Sequence, residues 1–248
     1  MCLIVFDWQP GQQLRLAANR DEFYQRPTAP MHVWPTEPPI LAGKDLDQGG
    51  SWLGISQTGR IAMLTNVRQP GQGRDARQSR GALVTDFLLS TLPADDYLQS
   101  LAPNDYGPFN LICGTLDALW YLSNCSSRPA QRISAGVHVL SNAALDTPWP
   151  KAELARQQLA DCQAELPLGI LNQRQPFADE QLPNTGVPAE LEKQLSAQHI
   201  HIAGSYGTRC QTAIHWRGQQ LQMAEQSFNS DAQPDVACHW RWQLQEDG

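Results

Sequence analysis

Short apolar runs separated by turn residues fill the first part of this chain, and their order restricts the fold to few possibilities. Each run is bounded by glycine, proline or polar residues, which is typical of β-strands. The predicted strands of this first block cover residues 3–6, 14–18, 52–56 and 60–66. Gln57-Thr58-Gly59 predicts a hairpin turn between the last two. Consecutive strands without helices between them predict antiparallel pairing.

Helical patterns are inserted between blocks of strands and do not alternate with single strands. The predicted helices cover residues 79–92, 94–101, 149–165, 168–172 and 188–195. The first of them has apolar residues at helical spacing, namely Leu83, Val84, Phe87 and Leu88. The remaining predicted strands cover residues 109–114, 119–123, 136–141, 208–216, 220–226 and 238–244. This order predicts an α+β fold with two packed, mainly antiparallel sheets.

One segment near the start of the chain is rich in proline and is expected to be a loop over the surface. The prolines between residues 26 and 39 are Pro27, Pro30, Pro35, Pro38 and Pro39. Proline lacks a backbone N–H group and fixes φ, so regular helix and central strand are excluded for this segment. No repeat, linker or change in composition divides the chain, and residues 1–248 are expected to form a single domain.

Composition and charge exclude several classes of protein. The formal net charge is -7 and no run of Lys or Arg occurs, which argues against a nucleic-acid surface. The six cysteines lack CxxC or Cys/His metal spacing and are interpreted as reduced thiols, so no metal site is expected. No apolar stretch long enough for a signal peptide or a membrane span is present, and a cytoplasmic protein is expected. The sequence does not predict an oligomeric state.

Cys2 directly follows the initiator Met1 and opens the first predicted strand. Removal of Met1 would place a thiol and a free α-amine on one residue. An amine with a pKa of roughly 7.7 to 8.0 is partly neutral near pH 7 and can accept the thiol proton, so no distant histidine is required. The alternative is that Cys2 is a small hydrophobe at the start of a buried strand.

Polar residues follow several of the predicted strands where each ends. Arg20 and Asp21 close the second strand, and a hairpin with the first strand brings them close to Cys2. A carboxylate there can hold the α-amine and a guanidinium can favour the thiolate; the alternative is an exposed charge pair in a surface turn. Asn66, Asn142 and Arg209 also close strands, and an amide there can stabilise an oxyanion or belong to a turn.

These residues belong to ordered blocks that resemble the NRDE family, also called the transport and Golgi organisation 2 family. Matching blocks are Met1-Cys2-Leu3-Ile4, Asn19-Arg20-Asp21-Glu22, Gly50-Ser51-Trp52-Leu53-Gly54, Leu64-Thr65-Asn66, Arg80-Gly81-Ala82, Leu140-Ser141-Asn142 and Tyr206-Gly207-Thr208-Arg209. The resemblance spans nearly the whole chain, and residues 161–201 match least. It implies association with haem trafficking, lipid or acyl-CoA homeostasis and secretory-pathway organisation, without an agreed reaction.

The family in turn resembles N-terminal-nucleophile hydrolases of the bile-salt hydrolase and penicillin V acylase type. That resemblance implies a four-layer αββα sandwich. It also implies a catalytic set made of Cys2, Arg20, Asp21, Asn66, Asn142 and Arg209. Arg20 and Asp21 are adjacent here, whereas the hydrolase pattern usually separates them by two residues, and adjacent strand residues point to opposite faces.

Two functions follow as hypotheses. The first is hydrolysis of an amide or related acyl bond in a small or lipid-like molecule by Cys2, with no cofactor required. The second is a non-catalytic carrier that binds haem or an acyl lipid such as acyl-CoA. None of the six histidines lies in a haem-attachment motif. His199 and His201 are interpreted as a surface pair on one face of a strand, and the alternative is a pair of ligands.

Overall fold

Two antiparallel sheets form the centre of the molecule. The computed structural model describes residues 2–71 and 76–245. The strands of the first sheet are β1 (Cys2–Gln9), β2 (Gln13–Phe23), β10 (Gly136–Leu140), β11 (His201–Ile202), β12 (Tyr206–Arg217), β13 (Gln220–Phe228) and β14 (Pro234–Gln243). Their order is β10-β1-β2-β12-β13-β14, and β11 pairs with β12.

The second sheet follows the chain order without a crossover. Its strands are β3 (Thr28–Trp34), β4 (Ile40–Asp45), β5 (Leu53–Ser56), β6 (Ile61–Asn66), β7 (Phe109–Gly114), β8 (Leu119–Ser123) and β9 (Gln131–Arg132). The α-helices of the described part are α1 (Arg80–Leu89), α2 (Ala94–Ser100), α3 (Pro150–Asp161) and α4 (Ala189–Gln194). Short 3₁₀ turns cover Pro103–Asp105 and Asp179–Gln181.

Alternation along the strands sorts the apolar side chains into layers. Ile4, Phe6 and Trp8 of β1 face the second sheet and pack with Ile55 and Met63 in one core cluster. The opposite face of β1 is covered by α3.

Each sheet carries helices on its outer face. Leu3 and Val5 of β1 pack against Ala155 of α3, and Leu83 and Phe87 of α1 pack against the outer face of the second sheet. The layers are therefore helix, sheet, sheet, helix, and the predicted αββα sandwich is confirmed.

Two local predictions are wrong. Residues 26–39 are not all loop, because β3 runs through Pro30. The strand lies at the edge of its sheet, and its register shifts between Ala29 and His32, so the missing N–H group of Pro30 breaks no central ladder. Residues 168–172 are not helical, since Gly169 adopts φ +83°, in the left-handed region. Among the described residues, no helix combines the length and the apolar composition needed to cross a membrane.

Candidate active site

Cys2 lies at the start of β1, directly opposite Arg20 of β2. Residues directly opposite each other in an antiparallel pair point to the same face, so both side chains lie on the face turned toward the second sheet. The side chains that follow on this face, Ile4 and Phe6, are fully buried, whereas Cys2 keeps 8% of its surface exposed. The thiol therefore lies where the apolar core ends.

An open cavity of about 360 Å³ begins at this point. It is formed by the ends of β1 and β2, by the second sheet, and by the first turn of α1. Charged and polar side chains dominate the lining, which consists of Cys2, Arg20, Asp21, Glu22, Arg26, Asp45, Gln48, Ser51, Trp52, Leu64, Asn66, Ala76, Arg77, Gln78, Ser79, Arg80, Gly81, Gly107 and Pro108. Cys2, Arg20, Asp21 and Asn66 of the predicted set are thus brought together.

The guanidinium of Arg20 is held on two sides. Its carbon lies 4.1 Å from the ring centroid of Trp52, and Nη1 donates to Thr28 Oγ1 at 3.0 Å. Only 5% of Arg20 is exposed. A desolvated guanidinium stacked on an aromatic ring keeps a fixed orientation, and here that orientation places positive charge beside Cys2.

Asp21 points to the opposite face of β2, as alternation requires for a neighbour of Arg20. Its carboxylate accepts from Thr208 Oγ1 at 2.7 Å, and Tyr206 Oη donates to its carbonyl oxygen at 2.9 Å. Burial raises the pKa of Asp21, and the positive charge of Lys151 on α3 is among the effects that lower it. Asp21 therefore lines the cavity from the end of β2, with its carboxylate on the opposite face of the strand from Arg20.

Burial is the main influence on the Cys2 thiol. It raises the pKa of Cys2 above the ordinary value for a thiol. The negative charge of Asp21 raises the pKa further, and the positive charge of Arg20 lowers it. The resting thiol is consequently protonated near neutral pH and needs a base before it can act as a nucleophile. Met1, whose removal would supply that base, lies outside the described residues.

The two asparagines differ in position. Asn66 ends β6 and lines the cavity, half-buried. Asn142 is buried behind it: its Nδ2 donates to the Asn66 carbonyl oxygen at 2.9 Å, and its own carbonyl accepts from Arg68 N at 2.8 Å. Asn142 thus fixes the backbone that carries Asn66, and it is not among the described residues that line the cavity.

Arg209 lies outside the cavity lining, within the described part of the chain. Its Nη1 donates to the carbonyl oxygens of Phe23, Tyr24 and Arg26 at 3.0, 3.3 and 3.1 Å. It sits at the register shift in β12 between Thr208 and Cys210. Arg209 therefore holds the chain segment at the end of β2, and its link to the cavity is indirect, through that segment.

Some cavity residues were not predicted from the sequence. Arg80 and Trp52 belong to blocks that carry the family resemblance, but the sequence pattern assigns neither of them to the site. Arg26 and Arg77 also line the cavity. The sequence feature that indicates Arg80 is the pair Arg80-Gly81 at the start of a predicted helix.

The interpretation of His199 and His201 as a surface pair is wrong. His199 is 1% exposed and packs edge-on against Phe228, whereas His201 is exposed and its Nε2 contacts the Ser230 carbonyl oxygen at 3.1 Å. The strand begins only at His201, so alternation does not extend back to His199. Across residues 2–71 and 76–245, no group of His, Cys, Asp and Glu side chains could hold a metal ion.

Comparisons with known proteins agree on one family. The family model described as transport and Golgi organisation 2 matches residues 1–230. The transport and Golgi organization protein 2 homolog of Bos taurus is 34% identical and the Homo sapiens homolog is 35% identical. Each alignment covers 86% of this chain and 88% of the relative.

Solved structures give more distant likenesses. A mutant of the conjugated bile acid hydrolase from Clostridium perfringens matches with a TM-score of 0.43 and 10% identity, covering 100% of this chain and 98% of that chain. The Caenorhabditis elegans ortholog of N-acylethanolamine-hydrolyzing acid amidase matches with a TM-score of 0.42 and 14% identity, covering 65% of this chain and 79% of that chain.

Proposed function

The chain belongs to the transport and Golgi organisation 2 family, and we propose that it is a cysteine hydrolase that uses Cys2 to cleave an amide or related acyl bond. The observation that carries the proposal is the place of the Cys2 thiol at the floor of an open polar cavity, on the same face as a fixed guanidinium. A small or lipid-like acyl compound is the proposed substrate.

The proposed reaction needs only groups of this chain and water. After removal of Met1, the Cys2 α-amine accepts the thiol proton while the sulfur attacks the acyl carbon. The tetrahedral intermediate collapses, the C–N bond breaks, and the α-ammonium returns the proton to the leaving amine. Water then attacks the thioester with the α-amine as base, releasing the carboxylic acid and the free thiol.

Each predicted residue has a proposed role that fits its position. Arg20 favours the developing thiolate by its charge, and Asp21 orients the α-amine from the opposite face of β2. The Asn66 amide, at the cavity wall, donates to the oxyanion. Asn142 and Arg209 act as positioning residues, since they hold the backbone of Asn66 and of the segment after β2.

Hydrolysis of two octanoyl anilides tests the proposal: octanoyl p-nitroanilide and its analogue with a ring carboxylate. We expect Cys2→Ala to lower kcat/KM by at least about 100-fold, because the nucleophile is lost. Cys125→Ala is the matched control, since Cys125 is an exposed free thiol outside the cavity lining. This variant should hydrolyse the anilides as wild type does. Equal hydrolysis by Cys2→Ala, with both variants folded by circular dichroism, would refute the proposal.

A carrier of haem or of an acyl lipid is the competing function. The charged lining of the cavity supports a polar reacting group there more than an apolar slot. Haem titration of wild type and Cys2→Ala separates the two functions. Haem binding that Cys2→Ala abolishes, in a protein that hydrolyses neither anilide, would favour the carrier with thiolate ligation.

A further inference from the structure

Within the described part of the chain, two arginines of the cavity differ from the other two in forming no ion pair with a carboxylate. Arg26 pairs with Asp45 at 2.7 Å, and Arg77 pairs with Asp105 at 3.6 Å. Neither Arg20 nor Arg80 forms an ion pair with any residue that the structure describes. Two guanidinium groups that form no ion pair with a described carboxylate therefore line the same cavity as the Cys2 thiol.

Arg80 is held firmly at the cavity wall. It is the first residue of α1, and its Nη1 donates to the Pro108 carbonyl oxygen at 3.0 Å. The helix start is fixed by Ser51 N, which donates to the Gly81 carbonyl oxygen at 3.3 Å. Burial lowers the pKa of Arg80, and the charge of Glu22 opposes that shift.

Among the described residues, no carboxylate of the cavity lies within ion-pair distance of Arg80. Asp45 is engaged by Arg26, and Asp21 accepts from Thr208 on the opposite face of β2. Glu22 is the acid whose charge acts on Arg80, and its Oε1 also accepts from the backbone N–H of Phe23 at 2.9 Å. The cavity lining thus holds four arginines and three acids in a chain whose formal net charge is -7.

We propose that the substrate carries an anionic group, a carboxylate or phosphate, which binds between Arg20 and Arg80 while its acyl bond lies at Cys2. A planar guanidinium binds such oxyanions through charge-assisted hydrogen bonds. Arg80 is then a residue that determines specificity, and Arg20 serves both the nucleophile and the substrate. The proposal rests on the proposed hydrolase function and adds the chemical class of its substrate.

Alkylation of Cys2 tests the anion site without turnover. Iodoacetate and iodoacetamide react identically, since the sulfur displaces iodide and forms an S–C bond, but only iodoacetate is an anion. We expect the rate ratio of iodoacetate to iodoacetamide at Cys2, measured by peptide mass spectrometry, to exceed the ratio at exposed Cys125 by about ten-fold. Because both reagents need the same thiolate, the Cys2 pKa cancels in this ratio.

Arg80→Gln and Arg77→Gln form a matched pair of variants for this measurement. Arg77 lies on the same cavity and its side chain is 83% exposed, so its loss should leave the ratio nearly unchanged. Arg80→Gln should lower the ratio at Cys2 to that at Cys125, and Arg80→Lys should restore part of it. An equal ratio at Cys2 and Cys125 in the wild type, or one that Arg80→Gln leaves unchanged, would overturn the proposal.

The two anilides separate this proposal from the function on which it rests. We expect kcat/KM for the carboxylate-bearing anilide to exceed that for the neutral one by about ten-fold, and Arg80→Gln to remove the preference. Hydrolysis of both anilides at equal rates would support the hydrolase function and refute the anion site. A raised iodoacetate to iodoacetamide ratio at Cys2 without hydrolysis of either anilide would support the anion site and refute the hydrolase function.

Discussion

At the residue scale, burial and the charges of neighbouring groups influence the reactivity of the Cys2 thiol. Burial and the charge of Asp21 raise the pKa of Cys2, and the charge of Arg20 lowers it. The two charges act on the same sulfur but belong to side chains on opposite faces of β2. Substitutions of the two charged residues should consequently shift the thiol titration in opposite directions.

The pH dependence of Cys2 alkylation by iodoacetamide measures this titration. In wild type we expect the rate to rise with pH through a midpoint above the ordinary thiol pKa of about 8.5. Arg20→Gln should move the midpoint up, because a charge that favours the thiolate is lost. Asp21→Asn should move it down, because a charge that opposes the thiolate is lost. A shift in the same direction for both variants would contradict the assigned electrostatics.

His199 gives a prediction about stability. Burial lowers its pKa to about 4, below the value of about 6.5 in an unfolded chain. The unfolded state then binds more protons, so stability should fall as pH falls from about 6.5 toward 4, by on the order of 1 to 2 kcal/mol at pH 5. Measured by urea denaturation, the free energy of unfolding should fall less between about pH 6.5 and about pH 5 in His199→Leu than in wild type. His239 is exposed, so His239→Gln should lose as much free energy of unfolding on acidification as wild type does. An equal loss in all three proteins would show that His199 does not titrate this way.

At the scale of the elements, the position of α1 depends on two glycines in contact. A Cβ added at Gly50 would lie 2.4 Å from the backbone carbon of Gly81, in the first turn of the helix. Such a distance requires the backbone to move. Since Arg80 begins α1, a displaced helix start also displaces the guanidinium from the cavity.

Gly50→Ala should therefore lower both stability and anion preference. We expect a loss of about 1 to 3 kcal/mol in the free energy of unfolding, together with a reduced iodoacetate to iodoacetamide ratio at Cys2. Gly49→Ala is the control, because its added Cβ meets nothing within 4 Å and costs about 1 kcal/mol through its φ of +79° alone. An unchanged iodoacetate to iodoacetamide ratio in Gly50→Ala would show that the anion site does not depend on the position of α1.

Local periodicity predicted most elements but not the strands β3, β4, β9 and β11. α1 was predicted from Leu83, Val84, Phe87 and Leu88, all of which are buried. β3 was missed, since proline content predicts the absence of central strands and says nothing about an edge strand with a register shift. Edge position is set by the pairing of the whole sheet, and no local pattern contains it.

On the scale of the whole molecule, the candidate site exists only because two sheets are stacked. Cys2 and Arg20 come from the first sheet, Trp52 and Asn66 from the second sheet and its loops, and Arg80 from the helix that covers the second sheet. Pairing of the first two strands made Arg20 predictable beside Cys2. Arg80 was not predictable, because its approach depends on how two layers meet and not on any spacing in sequence.

One measurement tests the central claim, that the Cys2 sulfur forms the acyl intermediate. Protein carrying Cys125→Ala is mixed with the carboxylate-bearing octanoyl anilide, quenched in acid, and examined by intact mass and peptide mapping. We predict a chain without Met1 that carries one octanoyl group on Cys2, cleaved by hydroxylamine as a thioester is, and no such group after Cys2→Ala. Turnover by a chain that retains Met1, or an octanoyl group that persists in Cys2→Ala, would contradict the claim.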